Sequence, residues 1–226
     1  MPLALLVVLT TAHFENANFV VSAMRHNGGL DRCAAYQGSA HFELVAATDC
    51  QHFSNHDLLA NLGSPTEAAG ELARGAEGVG LFRTEFLFLD SLTAPTVEEQ
   101  EARYTELLDN FPGQKVVVRV LDAGADKPLA FLNSEHEDNP ALGLRGLRAL
   151  RAQENILRDQ LTALALAQNQ TSADLWVMAP MVSDAEETEF FVTLAKELGI
   201  RVVGVMAEVP SLALLADQVF EIADFV

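Results

Sequence analysis

From Asp57 onward the chain alternates short apolar runs with stretches of helical period, and each helical stretch opens on a capping signal. Strand followed by capped helix, repeated many times, admits few architectures: the strands must lie parallel in one sheet, with helices covering it. Leu58 to Leu62 reads as a buried strand. In Ser64-Pro65-Thr66-Glu67, Ser64 is the N-cap, Pro65 takes the first helical position and Glu67 closes a capping box. That helix is expected to stop at Gly75. Val79 to Arg83 is the second strand. Thr96 to Glu99 is a second capping box, and its helix ends before Pro112-Gly113. Val116 to Leu121 is a third strand, rich in β-branched residues.

Ala141 to Leu150 is expected to hold a short fourth strand and a helical turn. Ile156, Leu157, Leu161, Leu164 and Ala165 have helical spacing. Leu175 to Ala179 is a fifth strand. Ser183 to Glu186 is a third capping box, whose helix ends at Gly199. Val202 to Ala207 is a sixth strand, a helix follows from Ser211, and Asp224 to Val226 begins a seventh strand. Six to seven units without a reversal favour a TIM-type (β/α)8 barrel over an open sheet. Such barrels need about 250 residues, and residues 57–226 supply 170. The expected fold is therefore an incomplete barrel over 57–226, with an irregular N-terminal extension or remnant over 1–56.

Half of the residues are apolar, and the formal net charge is −18. An acidic surface repels phosphate backbones and argues against nucleic-acid binding. No apolar run reaches the length of a membrane span, and Leu3 to Val8 is too short and lacks the flanks of a signal peptide. Two cysteines, Cys33 and Cys50, form no metal or redox motif, which fits a reducing cytoplasm. None of the six histidines (13, 26, 41, 52, 56 and 136) sits in an orienting motif, so all are taken as non-catalytic. Met178, Met181 and Met206 are expected in the core, and Gly75, Gly78 and Gly80 as a helix stop and room for close helix–sheet packing.

In a barrel of this kind chemistry gathers where strands end. There the sequence places Arg83, Thr84 and Glu85; Arg119 and Asp122; Gly143, Arg145 and Arg148; and Glu208 before Val209-Pro210. Arginine forks match phosphate and carboxylate groups, and a glutamate with substrate oxygens suits Mg²⁺. The alternative is structural: Arg83 and Arg119 pairing with Glu85 or Asp122, Glu208 as an ordinary loop acid, and Asp122, Asp126 and Lys127 as a local ion pair shaping their loop.

Five blocks carry a family resemblance. Gly75 to Leu87, Val118 to Pro128, Asn139 to Arg145, Met178 to Met181 and Gly204 to Pro210 follow in the order found in phosphoenolpyruvate–protein phosphotransferases, enzyme I of the bacterial sugar phosphotransferase system. The resemblance implies that Arg83, Arg119 and Arg145 bind phosphoenolpyruvate and that Glu208 is one of two protein ligands to Mg²⁺. It also implies phosphoryl transfer to a protein histidine, onward transfer to a histidine-containing phosphocarrier protein, and a homodimer. The second metal ligand, a further substrate arginine and a proton-donating cysteine would lie beyond Val226. The phosphoacceptor segment has only a faint echo in Gly28 to Ala35, with Cys33 in the histidine's place. This chain is therefore expected to carry part of the binding barrel, with no catalytic residue of its own, and to be inactive alone. Other readings are a non-catalytic dimerising fragment, a piece of a pyruvate phosphate dikinase or phosphoenolpyruvate synthase, or a broken gene model. An unclosed parallel sheet also leaves edges to pair. The purified chain is expected to self-associate, and light scattering that returned a monodisperse monomer would refute this.

Overall fold

The computed structural model describes residues 58–226, apart from 90, 124–128, 130, 133–138 and 140–142, together with the backbone of a short strand at 19–21. All six histidines, both cysteines, the segment 28–35, Leu3 to Val8, and Asp126 and Lys127 lie outside the described residues.

Six strands form one sheet: β1 (Phe19–Val21), β2 (Leu58–Leu62), β3 (Gly78–Arg83), β4 (Lys115–Arg119), β5 (Asp174–Ala179) and β6 (Val202–Val205). They lie side by side in chain order. β1 runs antiparallel to β2, and every later pair is parallel. Consecutive order without a switch is the winding of a barrel wall, whereas a doubly wound sheet would reverse. The helices are α1 (Ala68–Ala73), α2 (Val97–Leu108), α3 (Gly146–Ala152), α4 (Glu154–Gln170), α5 (Ala185–Glu197), α6 (Pro210–Leu214) and α7 (Ala216–Ile222).

The expected fourth strand is absent among the described residues. Gly143 and Leu144 bend, α3 begins at Gly146, and β4 pairs directly with β5. The described wall therefore holds five parallel strands, and a bridge from Gly204 to Phe225 opens a sixth. Short apolar runs suit strand and buried helix alike, and here tertiary packing decided for helix.

Alternation along β4 divides two cores. Val116 and Val118 face the helix layer with Val177, Tyr104, Leu157 and Leu161. Val117 faces inward with Leu81, Met178, Met206 and Phe225. The Phe225 ring lies 4.9 Å from that of Trp176, over Gly204, where an added Cβ would come within 2.6 Å of it.

Of the three expected capping boxes one closes as expected, one is shifted by a residue, and one keeps its N-cap but closes differently. Thr96 and Glu99 form the full reciprocal box. Before α5, however, Asp184 and not Ser183 is the N-cap, and Glu187 and not Glu186 reaches back, accepting from the Ser183 N–H at 2.8 Å. The Asp184 carboxylate is the stronger acceptor, and the shift turns Glu187 into the buried side. Before α1, Ser64 caps through the Thr66 N–H, while Glu67 takes the Gly63 N–H, one residue outside the expected box.

Gly75, at φ 97°, is the helix stop. Gly78 makes room for a neighbouring strand and not for a helix, since a Cβ there would sit 2.4 Å from the Lys115 carbonyl oxygen. Gly78→Ala is expected to cost about 1–3 kcal/mol through forced strand separation, seen as a lower urea midpoint with an unchanged m-value.

Candidate active site

An irregularity in β3 sets the orientation of the first site residue. Val79 pairs with Val116 and Phe82 with Val118, so β3 spends one more residue than β4 over the same span. Val79 and Phe82 both face the helices, while Leu81 faces inward. The bulge resets the alternation, and Arg83 arrives on the inner face in register with Arg119 at the end of β4. Side by side on adjacent strands, the two guanidinium groups repel.

They are treated differently. Arg119 is buried and committed: Nη2 donates to Glu85 Oε1 at 2.5 Å, and Nη1 lies 3.5 Å from Asp122 Oδ2. Arg83 is half-buried and has no ion pair among the described residues. Its guanidinium carbon sits 4.7 Å from the centre of the Phe86 ring, and its buried Nε has no hydrogen-bond partner. Burial, with Arg119 nearby, pushes the Arg83 pKa down, against the pull of Glu85. With so high an intrinsic pKa the group stays charged, and the downward push reflects chiefly the cost of burying it.

Arg145 is the residue before α3, and its fork grips Asp122, with Nε to Oδ1 at 3.3 Å and Nη2 to Oδ2 at 2.9 Å. Asp122 thus bridges Arg119 and Arg145, a tertiary role beyond the local loop pairing expected of it. Arg148 instead lies 3.8 Å from Glu187.

Glu208 follows β6, and its Oε1 accepts the Met181 N–H at 2.7 Å. Met181 is therefore no core residue: it is half-buried at φ 58°, a conformation unusual for a side-chain-bearing residue. Gly146 makes the turn possible, because a Cβ there would lie 2.7 Å from that of Met181. Met178 and Met206 are buried as expected. Partial burial pushes the Glu208 carboxyl above its usual range, opposed by the Met181 hydrogen bond and by Arg119 and Arg145. The four residues singled out from sequence therefore meet on one rim, joined by Glu85 and Asp122.

Residues 40–226 match the model of the family described as PEP-utilising enzyme, PEP-binding domain. The chain belongs to this family. Among curated relatives of this PEP-binding domain, the phosphoenolpyruvate-protein phosphotransferase of Streptomyces coelicolor is 52% identical over 170 residues, covering 74% of this chain and 31% of that protein. Those of Haloferax volcanii and Staphylococcus aureus are 41% and 39% identical over 75% of this chain, covering 32% and 31% of their own lengths. The chain thus spans about a third of the length of these relatives. A solved structure, 2,3-dimethylmalate lyase of the PEP mutase/isocitrate lyase superfamily, superposes with a TM-score of 0.34 at 14% identity over 71% of this chain and 61% of its own, too loosely to bear on the fold.

No cluster of three or more metal-ligating side chains occurs among the described residues. Mg²⁺ does not require one, since it commonly takes one or two carboxylates with water and substrate oxygens. Glu208 fits that part: one oxygen is held by a backbone N–H, and the residue is exposed on the rim, open to a hydrated cation. No helix among the described residues is long and apolar enough to cross a membrane.

The Glu85–Arg119 pair predicts its own cost. Glu85→Gln is expected to destabilise by about 3 kcal/mol, because it leaves Arg119 buried with one counter-charge removed. Chemical denaturation checks this, and a loss below about 1 kcal/mol would show that the pair is expendable.

Proposed function

We propose that this rim binds phosphoenolpyruvate, with Arg83 and Arg119 holding the phosphoryl group and Arg145 supporting the anion cluster through Asp122. The observation that carries the proposal is Arg83, a cation without an ion pair among the described residues, held by a strand bulge beside a second guanidinium. An oxyanion between them would relieve their repulsion and satisfy the donors in a charge-assisted fork. Glu208 would supply one carboxylate oxygen to Mg²⁺ on the same rim. When bound, the cation would neutralise charge on the phosphoryl group during transfer.

The chain's own residues bind, orient and offset charge. Arg119, immobilised by Glu85 and Asp122, presents its remaining donors without reorganising. Arg83 closes on the phosphoryl oxygens from the neighbouring strand. In the whole protein the reaction would be phosphoenolpyruvate plus a protein histidine giving pyruvate plus protein phosphohistidine, with a histidine-containing phosphocarrier as the next acceptor in sugar uptake. The names of the relatives support this reading. The same reading makes the whole protein a cytoplasmic homodimer, and gives the residues described here substrate binding without a phosphoacceptor.

Calorimetric titration of the chain with phosphoenolpyruvate, with and without Mg²⁺, tests the proposal. Binding is expected to tighten with Mg²⁺, and Arg83→Ala is expected to weaken it by about 10- to 100-fold, the worth of one or two charged hydrogen bonds. The variant's denaturation midpoint should change little, since Arg83 makes no ion pair among the described residues and loss of its contact with the Phe86 ring is offset by relief of the repulsion from Arg119. A folded parent chain that binds no phosphoenolpyruvate, or an Arg83→Ala variant that binds as the parent does, would refute the assignment.

A further inference from the structure

We infer that Gln160 is a positioning residue for this rim, holding Arg119 and Asp122 in place from the far side of the sheet; the ligand-binding arm of the inference rests on the phosphoenolpyruvate reading above. Gln160 lies on α4, in the helix layer, and is fully buried. It falls on the apolar stripe of that helix, between Leu157 and Leu161, where a polar side chain must find partners or cost stability. A carboxamide carries two N–H donors and one acceptor oxygen, and all are engaged. Oε1 accepts the Leu121 N–H at 3.0 Å, and Nε2 donates to Thr84 Oγ1 at 3.1 Å and to Tyr104 Oη at 3.0 Å. Thr84 Oγ1 in turn donates to the Arg119 carbonyl oxygen at 2.9 Å.

These bonds lie where the parallel ladder gives out. β3 and β4 pair as far as Arg83 and Arg119, and Leu121 is already past the end of β4. Gln160 supplies an acceptor to the Leu121 N–H, and through Thr84 it ties the end of β3 to the end of β4. Thr84 stands between Arg83 and Glu85, and Leu121 stands next to Asp122. One amide thereby sets the spacing of the two strand ends that carry the buried charges. Gln160 itself faces away from the inner rim, so its effect on a ligand would pass through the backbone.

The same helix carries an internal control. Gln168, two turns further along α4, is also buried, and it donates to the Gly199 carbonyl oxygen at 3.0 Å and accepts the Arg201 N–H at 3.2 Å. Arg201 immediately precedes β6, so this amide serves the opposite end of the sheet. A purely structural role would make Gln160 and Gln168 equivalent.

The experiment compares Gln160→Met, Thr84→Val and Gln168→Met in the full chain. It measures phosphoenolpyruvate affinity with Mg²⁺ by calorimetry, unfolding midpoint, and amide hydrogen exchange at Leu121. Gln160→Met and Thr84→Val are each expected to weaken binding by about tenfold, and their combination by less than the product, since they break one chain of bonds. Exchange at Leu121 should accelerate in Gln160→Met. Gln168→Met should lower the midpoint comparably while keeping affinity within about twofold and Leu121 protected. A folded Gln160→Met chain with parental affinity, or a Gln168→Met chain that loses as much, would overturn the inference. If the parent itself binds no phosphoenolpyruvate, the ligand reading falls, and exchange decides alone: unchanged protection of Leu121 in Gln160→Met overturns the positioning role, and its selective loss sustains it.

Discussion

A guanidinium taken out of water must be matched by a carboxylate in good geometry, and the rim of this protein is arranged around one such match. Arg119 and Glu85 are both buried, and their contact sits at the junction of two parallel strands. Asp122 adds a second counter-charge, and in doing so recruits Arg145 from a helix start further along the chain. Three arginines and three carboxylates thus share the rim. Glu85 and Asp122 are consumed by Arg119 and Arg145, whereas Arg83 and Glu208 form no ion pair among the described residues. One cation and one carboxylate remain, the complement expected for an anionic substrate accompanied by a metal ion.

The overall charge of −18 does not oppose this. Coulomb energy falls with distance and is screened in water, so a pair of arginines a few ångströms from a bound oxyanion outweighs scattered surface acids. What the rim needs is precision, and that comes from behind. Strand ends are where ladder hydrogen bonds run out, and Thr84, Gln160, Tyr104 and Gln100 form a buried chain of hydrogen bonds at that place. A buried network with its partners in place rigidifies its surroundings.

Much of this was legible in the residues. Thr96 and Glu99 announced a capping box because the motif is closed within four residues. Arg83, Arg119 and Glu208 stood out because charged residues at the ends of buried strands lie on the rim, whereas Arg145 precedes a helix and was marked by the family resemblance. Gln160 carried a signal that went unused, a polar residue on an apolar helical stripe. Other features had none. The expected fourth strand does not occur among the described residues, because a short apolar run does not distinguish strand from buried helix. The cap before α5 was misplaced by one residue because Ser183 and Asp184 are both competent acceptors, and the burial of Glu187 decided between them.

By itself the sequence determined the alternation of strand and helix, the parallel sheet, and which side chains stand at strand ends, because period, capping and strand burial are local properties of the chain. Tertiary structure alone decided which of those charges pair. The bulge in β3 turned Arg83 inward, Asp122 found Arg145 across 23 residues, and Met181 took a left-handed turn to reach Glu208. Such choices depend on distances of a few ångströms between segments far apart in the chain, where electrostatic energy varies steeply and sequence spacing carries no information about it.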